Sequence, residues 1–217
     1  MNYVKTFGLV VIAAAAMLAF IGSSSASASI VCKTTPTTGG STTGTTCPSG
    51  WAYSAGTEMH AIGISTFKIH TVYKTIECTS STMSGKTGGE GSATETVGSG
   101  IETLTFAGCN CEVKVLKNGT QEFHWVSDTF NATVTGNGQE LTTTCSTIFG
   151  NVHCIYVTNN TELGSVTGSP VHTGGAIIHW HFSLGRNPTS GLCAEEATVT
   201  GTYELTTATP MWFAAHT

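Results

Sequence analysis

The feature that most constrains the fold is an alternation of short β-prone runs with turn-forming clusters, which extends from Trp51 to near the end of the chain. The runs are rich in Thr, Val, Ile and aromatic residues, and clusters of Gly, Asn and Ser separate them. No window carries apolar residues at helical spacing, and the abundant Gly and Thr disfavour helix. The pattern predicts an all-β fold, either an antiparallel β-sandwich or an open barrel.

This alternation gives twelve predicted strands. They are Glu58–Ile64, Phe67–Val72, Ile76–Ser84, Ile101–Ala107, Cys111–Leu116, Thr120–Val126, Ala132–Gly136, Leu141–Thr144, Val152–Val157, Leu163–Thr167, Ala176–Leu184 and Thr198–Leu205. The dipeptide Asn118-Gly119 lies between the fifth and sixth strands. Because Asn-Gly favours positive φ at both central positions of a type I′ turn, these two strands are predicted to form a hairpin.

The first 28 residues have the organisation of a secretory signal peptide. Lys5 supplies a positive charge, Phe7–Ile21 form an apolar and small-residue run, and Ala26-Ser27-Ala28 fits the A-x-A cleavage rule. The apolar run of about 15 residues is shorter than the roughly 20 residues of a membrane-spanning helix, which disfavours an anchor. We expect export and cleavage after Ala28.

The segment that follows, residues 29–56, contains a Thr/Gly/Ser-rich tract with no apolar period. Such a composition cannot bury a core, so we expect a flexible leader. Residues 57–217 are long enough for a single β domain with a real core. No second apolar run in the mature chain is long enough for a membrane span.

Eight cysteines lie in the predicted mature chain: Cys32, Cys47, Cys78, Cys109, Cys111, Cys145, Cys154 and Cys193. An even number of cysteines in an exported chain indicates a domain stapled by disulfides, although spacing alone does not fix which cysteines pair. A bridge between Cys32 and Cys47 would close most of the tract into a loop. The isolated Cys109-Asn110-Cys111 motif lacks the partner pair of a structural zinc site, and we predict no cofactor.

Charge is scarce, at 10% of residues, and Arg186 is the only arginine. A nucleic-acid surface needs clustered Lys and Arg side chains to neutralise phosphates. Two neighbouring lysines, Lys114 and Lys117, do not make such a surface. The composition therefore excludes nucleic acid as a partner.

The triplet His179-Trp180-His181 is the best candidate for a metal site. On a strand, residues i and i+2 share a face, so both imidazoles would point the same way, and neutral imidazole is a good metal ligand. A third ligand would come from another strand, with the candidates His60, His70, His124 or a glutamate.

The apolar character of the opposite face favours another interpretation. Ile178, Trp180 and Phe182 alternate with the two histidines, which predicts that these three side chains face the core. The histidines would then lie on the solvent face. The segment Phe123–Trp125 repeats this arrangement around its own histidine.

The four tryptophans could also form a sugar-stacking platform. Trp125 and Trp180 belong to strand patterns that place them in the core. Trp51 and Trp212 lie closer to the ends of the mature chain and are freer to be exposed. An aromatic core is the default interpretation for such residues.

The sequence contains no motif that indicates a catalytic site. The sequence has no G-x-S-x-G elbow, and Ser127-Asp128 has no associated histidine pattern that would indicate a triad. Glu195 and Glu196 are adjacent, so on a strand they face opposite sides and cannot converge on one bond. We expect a non-catalytic protein.

Several stretches of the domain resemble one group of small exported bacterial proteins. They are Cys78–Lys86, Ile101–Phe106 with Gly108-Cys109, Gly119–Trp125, Leu163–Gly168, Leu192-Cys193 and Tyr203–Thr207 with Thr209-Pro210. The group is common in actinobacteria, largely uncharacterised, and distantly similar to the secreted activator of alkane oxidation, which is associated with the cell surface and biofilm. The similarity extends over about residues 57–213.

This resemblance implies an exported all-β protein with a surface or matrix role, and it carries over no catalytic residue. The pattern of the group includes cysteines that correspond to Cys78, Cys109, Cys154 and Cys193. It implies the bridges Cys78–Cys109 and Cys154–Cys193, with Cys111–Cys145 and Cys32–Cys47 added in this chain.

We therefore expect an adhesin-like binding or structural protein, secreted or held at the cell surface. Its partner would be an unidentified component of the cell surface or matrix. The alternative is an extracellular metal- or carbohydrate-binding module that uses His179 and His181 or an exposed tryptophan.

Overall fold

The computed structural model describes residues 29–33, 47, 50–88, 97–148, 150–169, 175–190 and 192–215. The predicted signal peptide and most of the Thr/Gly/Ser tract lie outside these residues. The described part confirms the all-β class, because it contains fourteen strands and no helix. The strands are β1 (Ser29–Cys32), β2 (Glu58–Gly63), β3 (Phe67–His70), β4 (Thr75–Thr87), β5 (Val97–Cys109), β6 (Glu112–Lys117), β7 (Thr120–Trp125), β8 (Ala132–Asn137), β9 (Glu140–Thr147), β10 (Gly150–Val157), β11 (Thr161–Thr167), β12 (Ile177–Arg186), β13 (Glu196–Leu205) and β14 (Trp212–Ala215).

All twelve predicted strands form, with small shifts at their ends. These strands could be predicted from the sequence because buried and exposed residues alternate along them. In β12, Ile178, Trp180 and Leu184 are buried, whereas His179 and His181 are exposed. One face of the strand therefore packs into the core and the other meets solvent.

Eight strands close into an antiparallel barrel, so the predicted sandwich is not confirmed. The ladder runs β2–β4–β5–β7–β8–β11–β12–β13 and returns to β2 through the pairing of Tyr203 with Gly63. β3 continues β2 and pairs with the same two neighbours, β4 and β13. Closure satisfies the backbone groups that edge strands would leave unpaired.

The predicted hairpin at Asn118-Gly119 is wrong. Gly119 has a positive φ of 63°, but β6 pairs with β9 and β7 pairs with β8. The dipeptide therefore connects two consecutive strands that do not pair with each other. The Asn118 side chain donates a hydrogen bond to the Glu102 carbonyl at 2.6 Å. Among the described residues, no ladder joins β6 to β7.

The two terminal strands, which the sequence pattern did not reveal, cover one end of the barrel. β1 pairs with β14, and the Phe213 ring packs on Phe123 with centroids 5.4 Å apart. Trp212 is 2% exposed and contacts Phe130 edge to face. The expectation that Trp212 is free to be exposed is wrong, because strand pairing carries it under the barrel. We call this the closed end.

The predicted leader thus contributes structure at both of its ends. β1 lies within it, and Cys32 is bonded to Cys47. The Lys33 N–H donates to the Trp51 carbonyl, and the Tyr53 N–H donates to the Val31 carbonyl. These contacts attach the described parts of residues 29–56 to the domain.

Three further disulfides brace the other end of the barrel. Cys78–Cys109 joins β4 to β5, Cys111–Cys145 joins the β5–β6 turn to β9, and Cys154–Cys193 joins β10 to the β12–β13 loop. All four bridges are those that the resemblance implied. We call this the open end, since four chain connections, β3–β4, β5–β6, β9–β10 and β12–β13, surround it.

Candidate functional site: an apolar cleft at the open end

A cleft of about 630 Å³ lies at the open end of the barrel. Ile76 of β4, Thr143 and Cys145 of β9, and Cys154 and Tyr156 of β10 form its inner wall. These side chains lie there because alternate residues of a strand face the same side. In the part of the barrel interior that the structure describes, two much smaller cavities measure about 30 and 40 Å³.

Large apolar side chains lie at or beside this opening. Tyr73 and Leu192 line the cleft, Val72 lines an adjoining depression, and Ile148 directly follows Thr147 of the cleft wall. Val72 and Tyr73 in the β3–β4 turn are 83% and 77% exposed, Ile148 after β9 is 92% exposed, and Leu192 in the β12–β13 loop is 83% exposed. We call these four residues the apolar rim. Single exposed apolar residues are ordinary, but a group presented by three connections at one end is typical of an interaction site.

Several bonds hold the loop that carries Leu192. The Asn187 N–H donates to the Ile155 carbonyl at 2.9 Å, and the Ile155 N–H donates to the Ser190 hydroxyl at 3.0 Å. The Cys154–Cys193 disulfide and a hydrogen bond from Arg186 to the Cys193 carbonyl fix the end of the loop. The wall of the cleft on this side is therefore preformed.

The turn that carries Val72 and Tyr73 is closed by Thr71. Its hydroxyl donates to the Lys74 carbonyl at 2.9 Å and accepts from the Lys74 N–H at 3.0 Å. The backbone N–H of Thr71 donates to the same carbonyl. The backbone of the turn is thus satisfied internally, and both apolar side chains remain largely exposed, with Tyr73 also lining the cleft.

One positive charge lies at the cleft itself, and charges of both signs lie beside it. Lys74 is the one charged side chain among the described residues that line the cleft. A second, more polar depression of about 600 Å³ adjoins it around Tyr73 and Leu192, and Arg186 and two glutamates border that depression. The two glutamates are Glu195 and Glu196.

Tyr156 reports the environment of the inner wall. It is 1% exposed, and burial raises the pKa of its phenol, while the nearby Arg186 guanidinium lowers that pKa by a smaller amount. Burial therefore reinforces the neutral form that a phenol already has at neutral pH.

The structure places the predicted metal residues on the outside of the barrel. His179 and His181 are exposed and lie opposite Thr202 and Thr200 of β13. His124 is half-buried and hydrogen-bonds through Nε2 to the Thr135 hydroxyl at 2.9 Å. Within the described ranges, no three side chains of His, Cys, Asp or Glu converge as metal ligands require.

The tryptophans do not form an exposed platform. Trp180 and Trp212 are buried, and Trp51 and Trp125 are half-buried. The Trp125 indole N–H is satisfied by the Thr129 carbonyl at 2.8 Å. The carbohydrate alternative therefore lacks the exposed indole that it requires.

Sequence reasoning missed the apolar rim. Ile148 and Leu192 each stand among polar residues, and Val72 was assigned to the end of a strand. The only available signal was a large apolar residue in a connecting segment between two strands. That signal does not tell which end of the fold a connection occupies.

The described part of the chain contains no helix that is both long and apolar enough to cross a membrane. No family model, no curated protein and no solved structure matches the chain.

Proposed function

We propose that the protein is an exported, non-catalytic binding protein that attaches to a cell-surface or matrix component through the apolar rim. The observation that carries the proposal is the exposure of two apolar side chains that line one braced opening, Tyr73 and Leu192, with Val72 and Ile148 exposed in the connections beside them. Apolar side chains of this size each contribute about 1.5–3 kcal/mol when fully buried. Part of that gain offsets the loss of translational and rotational freedom on binding.

The disulfides support an extracellular location. Four bridges persist in oxidising compartments and are rare in the cytosol. The adhesin-like role that the resemblance implies agrees with an attachment surface at one end of a rigid barrel. N-terminal sequencing of secreted protein tests export, and we expect the sequence to begin at Ser29. A retained Met1 in the extracellular fraction would contradict the cleavage prediction.

The rim is tested by placing charge on it. In the double variant Ile148→Asp/Leu192→Asp, we expect adsorption to producing cells and to hydrophobic beads to fall about tenfold or more, since one lost apolar contact of roughly 1.4 kcal/mol already gives a factor of ten. Both positions are exposed, so folding should be unaffected. Circular dichroism and thiol titration check this.

The matched control carries the same charge change at two exposed apolar positions outside the rim. Ile64 and Leu116 are 51% and 54% exposed and do not belong to the rim. The double variant Ile64→Asp/Leu116→Asp should adsorb as the wild type does. Equal loss in both double variants would show that adsorption reflects general hydrophobicity, and unchanged adsorption in the rim variant would refute the proposed attachment surface.

A further inference from the structure

The size of the cleft suits a small molecule rather than only a contact between surfaces. Its volume of about 630 Å³ lies within the roughly 300–1,000 Å³ of small-molecule sites. Disulfides form part of its wall through Cys145, Cys154 and Cys193. A binding site that is rigid before the ligand arrives avoids much of the ordering cost of binding.

The walls favour an apolar chain. Ile76, Val152 and Tyr156 line the cleft together with the disulfide sulfurs. Two threonine hydroxyls on the wall already donate to backbone carbonyls, Thr71 to Lys74 and Thr147 to Gly150. A ligand covered with hydroxyl groups would lose its hydrogen bonds to water here without full replacement, which disfavours a sugar.

One side chain at the mouth is suited to an anion. Lys68, Lys86, Lys114 and Lys117 each form an ion pair with a glutamate. Lys74 is the one charged residue that lines the cleft, and it forms no ion pair with any residue in the described ranges. An unpaired ammonium beside an apolar wall complements an amphipathic ligand with a negative head.

From these three observations we propose that the cleft binds a single-chain carboxylate lipid, with its tail against Ile76, Val152 and Tyr156 and its carboxylate at Lys74. A free fatty acid and an anionic membrane lipid share an acyl chain and a negative head group, but only the free acid carries the carboxylate on the chain itself. The inference rests on the proposed function, because it names the ligand class of the same open end.

The test is calorimetric titration of the disulfide-intact mature protein with octanoate, decanoate and dodecanoate at low salt, below their micellar concentrations. We expect saturable binding of one molecule per chain. Each added methylene that enters the cleft should strengthen binding about three- to fourfold. Dodecanoate should bind about two- to fivefold more tightly than dodecanol, as for an exposed ion pair. Anionic vesicles that bind while all three free acids fail would assign the site to membrane lipid instead of free acid.

A matched pair of lysine variants isolates the head group. Lys74→Gln should abolish the preference for dodecanoate over dodecanol. Lys33→Gln removes a lysine that is exposed and forms no ion pair among the described residues, but it lies next to β1 at the closed end. It should leave the preference intact. A preference that survives Lys74→Gln, or that disappears equally in both variants, would overturn the assignment of the carboxylate.

A blocking variant separates this inference from the proposed function. Val152→Trp places a large ring in the cleft at a half-buried position and leaves every rim residue in place. We expect it to lose dodecanoate binding at least tenfold while adsorption to cells is retained. Wild-type protein that adsorbs to cells but binds neither free acid nor anionic vesicles would refute the ligand and leave the attachment proposal standing. Leu192 belongs to both the rim and the cleft, so Val152→Trp, and not the rim variant, separates the two proposals.

Discussion

Replacement of Trp180 by Ala should destabilise the domain far more than replacement of its neighbour His179. Trp180 is 5% exposed and is surrounded by aromatic rings. The ring centroids of Tyr203, Phe182 and Phe67 lie 4.8, 5.7 and 6.5 Å from that of the indole. The exposed imidazole of His179 lies on the opposite face of the same strand.

The magnitude follows from two opposing effects. Emptying a large aromatic site in a packed core costs about 3–5 kcal/mol. The Trp180 indole N–H has no hydrogen-bond partner among the described residues, so its removal recovers about 1 kcal/mol or more of desolvation cost. We therefore expect Trp180→Ala to lower the free energy of unfolding by about 3 kcal/mol. His179→Ala should change it by about 0.5 kcal/mol or less.

The assay is urea unfolding of the disulfide-intact protein, followed by circular dichroism. With an m-value of about 1–3 kcal/mol/M, Trp180→Ala should move the midpoint down by roughly 1–3 M. Trp180→Phe retains an aromatic ring and removes the unpartnered N–H, so its cost should be about 1.5 kcal/mol or less. A severe effect of His179→Ala with a mild effect of Trp180→Ala would mean that β12 is shifted by one residue, which exchanges its two faces.

Two further predictions concern the disulfides and alkaline pH. Thiol titration under denaturing, non-reducing conditions should find no free thiol, and reduction should destabilise the domain by about 3.5–4 kcal/mol for each of the three bridges at the open end, whose loops of 31, 34 and 39 residues restrict the unfolded chain. Two or more reactive thiols before reduction would contradict the pairing. Burial raises the pKa of the Tyr203 phenol, an effect that the Ser81 hydroxyl partly opposes. The folded state then retains a proton that the unfolded state loses near pH 10, so the free energy of unfolding should fall as pH rises above about 10. Urea titrations on either side of that pH should show a smaller fall in Tyr203→Phe, and an equal fall in both proteins would exclude Tyr203 as a cause.

The sequence by itself determined the strands and the inner face of β12. Alternation of apolar and polar residues is a local signal, and it placed Trp180 inside and the two histidines outside. The even number of cysteines also indicated an exported protein with disulfide bonds, because cysteines can be counted without knowledge of the fold. The bridges themselves came from resemblance rather than from spacing.

Tertiary structure decided how the strands pair. A local turn signal at Asn118-Gly119 predicted a hairpin, but β7 lies between β5 and β8 in the barrel, whereas β6 pairs with β9 outside the barrel ladder. Pairing of β13 with β2 closes the barrel over more than a hundred residues of chain, and no local pattern specifies such a contact. The same holds for β1 and β14, which are short and pair only because the chain ends meet.

The candidate site depends most strongly on tertiary structure. Tyr73 and Leu192 lie far apart in the sequence and line the same cleft because antiparallel strands return their connections to the same end of the barrel. A single exposed apolar residue in a turn is ordinary and does not by itself indicate a binding site. Its significance arises only when the fold brings several together around a cleft that the strands leave unfilled.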